Sequence, residues 1–367
     1  MSDLLQIEEP AAPARIPPSA RAFLEMAFRP LYLAGTGWAL IAVTIWIFAP
    51  QILQPPLQGV AWHAHEMMWG FVATIAVGFL MTAGANWTGV NPMPRSILLV
   101  ACVLWLMARL AFLAGSPVLF WLGFGAEVAF FLLAAAAMAR AVYGTRNRRN
   151  YAVPALLLGL GVTDGLYLLA AFGGDYGTLV QRFNAGLLCM AVIALLVGRR
   201  VIPFFAMRAI PGLQIPMHER SGLVQLAAGA IAVLFVLLQL RLPLVLALLV
   251  TGAIPWIQLL SWKPLAVRSK PLLWILYAGY AGLGTGLLIA AAQTAGLALR
   301  PAVHVHVIAM GGFTLMIIGM VTRTALGHLG RPLAPDRSMV VRYWLMLCAV
   351  ALRFARLQPS VPGGPLL

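Results

Sequence analysis

Four of the six histidines in this chain form two H-x-H pairs. His63 and His65 lie in Trp62-His63-Ala64-His65-Glu66-Met67-Met68-Trp69, and His304 and His306 lie far downstream. Imidazole suits iron and copper, and thioether suits Cu(I). In an extended segment residues i and i+2 point the same way, so an H-x-H pair can chelate one metal. On a helix they diverge by about 200°, and one ring faces the bundle while the other faces a neighbour or the rim. On that geometry His65 shares a face with Met68 and Trp69, His63 with Glu66 and Met67, and His306 with Met310. Two inward histidines from facing helices also suit a haem iron held from both sides. His63, His65, His304, His306 and Glu66 are therefore candidate metal ligands. The competing reading is of histidines in the headgroup zone that bind water.

Other chemistry-bearing groups are few. Glu127 and Asp164 fall inside apolar runs, where a charge is costly and faces a bundle interior. Each reads as a proton relay, a partner orienting a histidine, or a structural hydrogen bond between helices. Arg199-Arg200, ahead of Pro203, reads as an interfacial anchor or as a partner for haem propionates. Cys102, Cys189 and Cys348 sit in apolar runs without C-x-x-C spacing and read as buried hydrophobes. No C-x-x-C-H occurs, which excludes covalent c-type haem attachment.

These groups must be positioned by membrane helices. The 367 residues are 62% hydrophobic and 10% charged, too apolar for a soluble globule. A crossing helix needs about 20 mostly apolar residues. Eleven runs qualify: Leu31–Ala49, Trp62–Gly84, Ser96–Ala114, Val118–Val142, Ala152–Phe172, Phe183–Phe205, Ser221–Gln239, Pro243–Ser261, Leu272–Ala292, Ala302–Thr322 and Met339–Leu352. The expected fold is an all-α polytopic transmembrane bundle, with tails at 1–30 and 355–367 around one helical domain at 31–354. The Asn86-Trp87-Thr88-Gly89 segment reads as a helix stop with an interfacial anchor.

Basic residues orient the bundle. With a cytoplasmic N-terminus, 19 of the 25 Lys and Arg fall on the inner side; the outer six include Arg109 and Arg353. This placement explains the +15 net charge without nucleic acid. Both H-x-H pairs then open spans two and ten at their outer ends, while His218 and His328 lie in inner loops. The eleventh run is short, so a twelfth span is expected to be lost or truncated.

Four stretches resemble the NnrS family: Phe28-Arg29-Pro30, WHAHEMMWGFVATIAVGFLMTAGANWTG from Trp62 to Gly89, GRRVIPFF from Gly198 to Phe205, and MVTRTALGHLGRPL from Met320 to Leu333. Their order and spacing cover nearly the whole chain. The resemblance implies a bacterial inner-membrane protein of about twelve spans that contains haem b and copper and acts in the nitric oxide response and in resistance to nitrosative stress. By position it points to His63, His65 and Glu66, to Arg199, Arg200 and Pro203, and to His306, Arg323, His328 and Arg331. It places His65, His306, Arg199 and Arg200 with the cofactor, and adds His328 to the candidate metal ligands. The chain departs from the family at Tyr277, where a further histidine is common, and at Asp164, where asparagine and histidine are common.

The implied partners are the lipid bilayer and nitric oxide or a similar small neutral ligand, with no nucleic acid and no docking signature for an electron donor. Enzymatic turnover stays open. The alternatives are a secondary transporter, for which no clear repeat between the halves is visible, and a non-catalytic haem or copper sensor or assembly factor.

Overall fold

The computed structural model describes residues 19–297 and 300–356. Eleven helices are long and apolar enough to cross a membrane: α1 (Phe28–Phe48), α2 (Gly59–Thr88), α3 (Arg95–Leu113), α4 (Pro117–Gly144), α5 (Arg148–Gly173), α6 (Tyr176–Ala209), α7 (Glu219–Leu237), α8 (Arg241–Ser261), α9 (Pro271–Ala295), α10 (Val303–His328) and α11 (Arg337–Ala355). No strand occurs among the described residues. This is a multi-pass membrane protein, because in lipid each backbone polar group must be satisfied inside its own segment.

The helices fall on the eleven apolar runs, with ends that differ by several residues in either direction. α1 starts at Phe28, inside the expected tail, and carries Pro30 in its first turn, where the missing N–H is harmless. α11 runs past Leu352. Residues 1–18 and 357–367, most of the two expected tails, lie outside the described residues. α2 stops where the sequence predicts. Thr88 is its last residue, and Gly89 turns left-handed at φ 73° while its N–H bonds the Ala85 carbonyl.

Most consecutive helices pack against one another, α2 packs on α4, and α6 also packs on α9. α6 is the most enclosed span and α11 the least. Leu40 and Phe48 of α1 and Leu242 and Leu246 of α8 are exposed. Such apolar faces suit lipid.

α2 and α10 are neighbours in space although seven spans lie between them in sequence. Ile75 and Phe79 of α2 meet Ile317 and Val321 of α10, with Phe28 and Tyr32 of α1 alongside. The two helices also share a local device that hydropathy does not reveal. Each opens with its H-x-H pair and then widens into π-helical turns, Glu66–Ala73 in α2 and Val307–Thr314 in α10. Both begin one residue after the second histidine. A threonine closes each wide stretch by donating to the carbonyl five residues back, Thr74 to Trp69 and Thr314 to Ala309. Such wide turns cluster at functional sites. A repeated element is thus present, where reading the halves side by side shows none.

Candidate functional site

The end of the bundle where α2 and α10 begin is called here the histidine end. Two groups of polar side chains form there, and the split between them comes from helix geometry. His63 and His65 are two positions apart on α2, so their rings point to different neighbours.

His65 points into the first five helices and is fully buried. Its Nδ1 lies 2.9 Å from Glu66 Oε1, and its Nε2 lies 3.0 Å from Asp164 Oδ1 of α5 and 3.8 Å from Glu127 Oε2 of α4. Trp38 of α1 donates its indole N–H to Glu66 Oε2 at 2.5 Å. Arg109 of α3 pairs with both Glu66 and Glu127. Trp69 and Tyr167 stack with the His65 ring, and Phe112 meets it edge-on. All five charged or titratable members of this cluster are at most 1% exposed. A single substitution reads the strength of this web. Trp38→Phe keeps the apolar body and removes the donor to Glu66. Hydrogen bonds to charged groups contribute about 1.5–3 kcal/mol, so Trp38→Phe should melt clearly lower in detergent, whereas Trp121→Phe, at an exposed position, should not. Equal melting of the two variants would refute the bond's importance.

Backbone choice makes room for the web. A Cβ on Gly70 would strike the Arg109 guanidinium and lie 2.6 Å from Glu66 Oε2. Glycine at this point of the wide turn lets Arg109 reach across.

His63 points the other way. Its ring stacks on Trp46 of α1 at 4.9 Å, and its buried Nδ1 has no hydrogen-bond partner. His306 of α10 and Arg353 of α11 lie within electrostatic range of it. His306 Nδ1 lies 2.9 Å from the Ala302 carbonyl, and Arg353 Nη2 lies 2.9 Å from His306 Nε2. A carbonyl only accepts and a guanidinium only donates. His306 is therefore neutral, with its proton on Nδ1 and its lone pair on Nε2. His306, Met310, Gly282, Gly311 and Arg353 line a cavity of about 240 Å³ between α9, α10 and α11.

The remaining candidates do not join these groups. His304 spans Gln293 Oε1 at 2.5 Å and Asn184 Oδ1 at 2.7 Å. His328 is exposed and stacks on Phe28 at the opposite end of α10. Arg199 is buried against Gly222, and Arg200 bonds Asn150 Oδ1 at 2.6 Å and the Arg149 carbonyl at 2.7 Å. Arg200 lines a larger cavity, about 490 Å³, with Asn86 and Trp87 at the far end of α2. From His63 to Trp87 an α-helix rises about 36 Å. One haem cannot meet the histidine end and this arginine pair together. His218, between α6 and α7, lies 2.5 Å from Ser261 Oγ. Partial burial and nearby Arg199 hold it below its ordinary pKa.

Arg109 requires a correction. Counted from the sequence as an outer anchor, it is fully buried at the centre of the charge cluster. The signal was available: Arg109 falls inside the third apolar run, where a charge needs a partner. Trp38 carried no such signal.

The group around His65 and the group around His63 and His306 thus form at one end of the bundle, each with a histidine from an H-x-H pair. No curated protein matches the chain. A family model described as NnrS protein matches residues 22–366, which include every residue of both groups. The chain belongs to the NnrS family.

Proposed function

We propose that this chain is a haem b protein of the bacterial inner membrane, with copper as a second metal, acting in the nitric oxide response and in resistance to nitrosative stress. One observation carries the reading. Two imidazoles from neighbouring spans, His63 with an unpartnered buried nitrogen and neutral His306 beside an apolar cavity, lie within electrostatic range of each other at the histidine end. Family membership supplies the nitric oxide context.

The donor set fits haem iron in type. Imidazole is an axial ligand of haem, and the cavity beside His306 is lined mostly by apolar side chains. His306 and Met310 also suit copper. His65 fits haem less well, since both of its ring nitrogens face carboxylates and aromatic rings enclose it. The reading therefore gives iron to His63 and His306. A bound haem would supply iron at these imidazoles, a position that a small neutral gas, partitioning into the bilayer, would reach from lipid and occupy by displacing one of them.

The chain's own residues prepare that position. The Ala302 carbonyl fixes the His306 tautomer and leaves the Nε2 lone pair free to bind metal once Arg353 swings aside. Trp46 holds the His63 ring by stacking. With the positive-inside orientation this end faces the periplasm.

Colour tests the reading. Protein purified in detergent from haem-replete cells should show a Soret band that shifts on reduction and on addition of nitric oxide. His306→Ala should remove most of the band, and His63→Ala should remove it or change its position. His328→Phe should leave it intact. A full band in both His63→Ala and His306→Ala would overturn the assignment, and a colourless wild-type protein would overturn the function.

A further inference from the structure

The cluster around His65 has a charge problem that the haem reading does not use. Glu66, Glu127 and Asp164 bring three carboxylates into a region without water access, against one guanidinium from Arg109. With a neutral imidazole the sum is two negative charges. Buried charges persist only when paired or bound to metal.

The hydrogen bonds are also short of protons. His65 Nδ1 faces Glu66 Oε1, and His65 Nε2 faces Asp164 Oδ1. A carboxylate only accepts, and a neutral imidazole has one N–H. One of the two contacts therefore sets a lone pair against an anionic oxygen, unless a metal ion or a second proton lies between them; a second proton would still leave one surplus negative charge. Two further oxygens are idle. Asp164 Oδ2 and Glu127 Oε1 are buried and have no hydrogen-bond partner. Buried polar atoms are satisfied in the great majority of cases, so each exception points to a missing partner.

The distances suit a metal ion. One ligand atom each from His65, Glu127 and Asp164 lie within 4.8 Å of one another. Nitrogen and oxygen donors at about 2.0–2.2 Å from zinc stand about 3–3.6 Å apart around the ion. His65 Nε2 is 3.0 Å from Asp164 Oδ1 and 3.8 Å from Glu127 Oε2, near that edge length.

We infer that His65, Glu127 and Asp164 form a site for one divalent cation, separate from the His63 and His306 pair. The dication would cancel the two surplus charges, take the His65 Nε2 lone pair and bind a carboxylate oxygen from each of Asp164 and Glu127. Glu66 would hold the His65 ring through Nδ1, the arrangement in which a carboxylate orients a ligating histidine. One imidazole with two carboxylates, and no sulfur among the three, selects Zn²⁺, Fe²⁺ or Mn²⁺ over Cu(I). The site is closed on all sides, so the ion enters as the protein folds and has a structural or charge-compensating role.

The test uses full-length protein from cells grown with added Mn²⁺. Elemental analysis should find about one Mn²⁺ or Zn²⁺ per chain in the wild type. Glu127→Gln and Asp164→Asn should each lower it at least fivefold, while His306→Ala should retain it. That last variant separates this site from the haem reading, because loss of the Soret band and loss of the dication occur in different proteins. Should the carboxylate variants fail to fold, the wild type still decides. Its bound Mn²⁺ should show, by electron spin-echo spectroscopy, coupling to one imidazole nitrogen. A wild type without a divalent metal, a metal kept in folded Glu127→Gln and Asp164→Asn, or a Mn²⁺ signal without nitrogen coupling would each overturn the proposal.

Discussion

Arg109→Met should leave the protein barely able to fold. The guanidinium is fully buried and pairs with Glu66 and Glu127 at once. Methionine fills a similar volume but leaves the carboxylates facing one another without their counterion. Removing one partner of a buried ion pair costs about 3–5 kcal/mol. A domain's whole stability is about 5–15 kcal/mol, so this one change removes a large share. Arg109→Lys should fall between, since a lysine keeps the charge but lacks the fork that reaches two acids. The measurement is the yield of monodisperse protein on size exclusion together with its melting temperature in detergent. Melting of Arg109→Met close to wild type would show that the cluster is not held by this charge.

Gly282→Ala should be nearly as damaging, for a steric reason. A Cβ at Gly282 of α9 would overlap the backbone carbonyl of Gly311 in α10 and sit 2.9 Å from Gly312 N. Backbone cannot swing aside as a side-chain tip can, so α9 and α10 would have to separate along the wide stretch. Overpacking of this kind costs about 1–3 kcal/mol. It also moves Val307–Thr314, which follows directly on His306, so the Soret band proposed for that pair should weaken as well. Gly311→Ala is the control. Its Cβ would meet Val350, Val307 and Gly282 at 3.7–4.0 Å, ordinary contact distances. Equal melting temperatures for Gly282→Ala and Gly311→Ala would show that close approach of these helices is not limiting.

The histidine end shows how far local reading extends. The H-x-H spacing on a helix forces His63 and His65 apart, and that much follows from periodicity. Which of them lies near His306 does not, because it depends on the lateral order of helices with seven spans between them. Asp164 and Glu127 stand out as charges in apolar runs. That both converge on His65 is visible only once α4 and α5 are packed beside α2. Arg109 was misplaced for the same reason: a basic residue near a helix end looks like an anchor until the neighbouring acids appear.

The number and position of the spans, the helix stop at Gly89 and the family are all legible along the chain. Each is written in contiguous residues, since lipid obliges every crossing segment to satisfy its own backbone. Who meets whom emerges from packing alone: Arg109 with its two acids, His65 with Asp164, His63 near His306, and Arg200 at the far end. Between helices lipid offers no hydrophobic driving force, so pairing rests on packing and on specific polar contacts, and those depend on residues that the chain order keeps far apart.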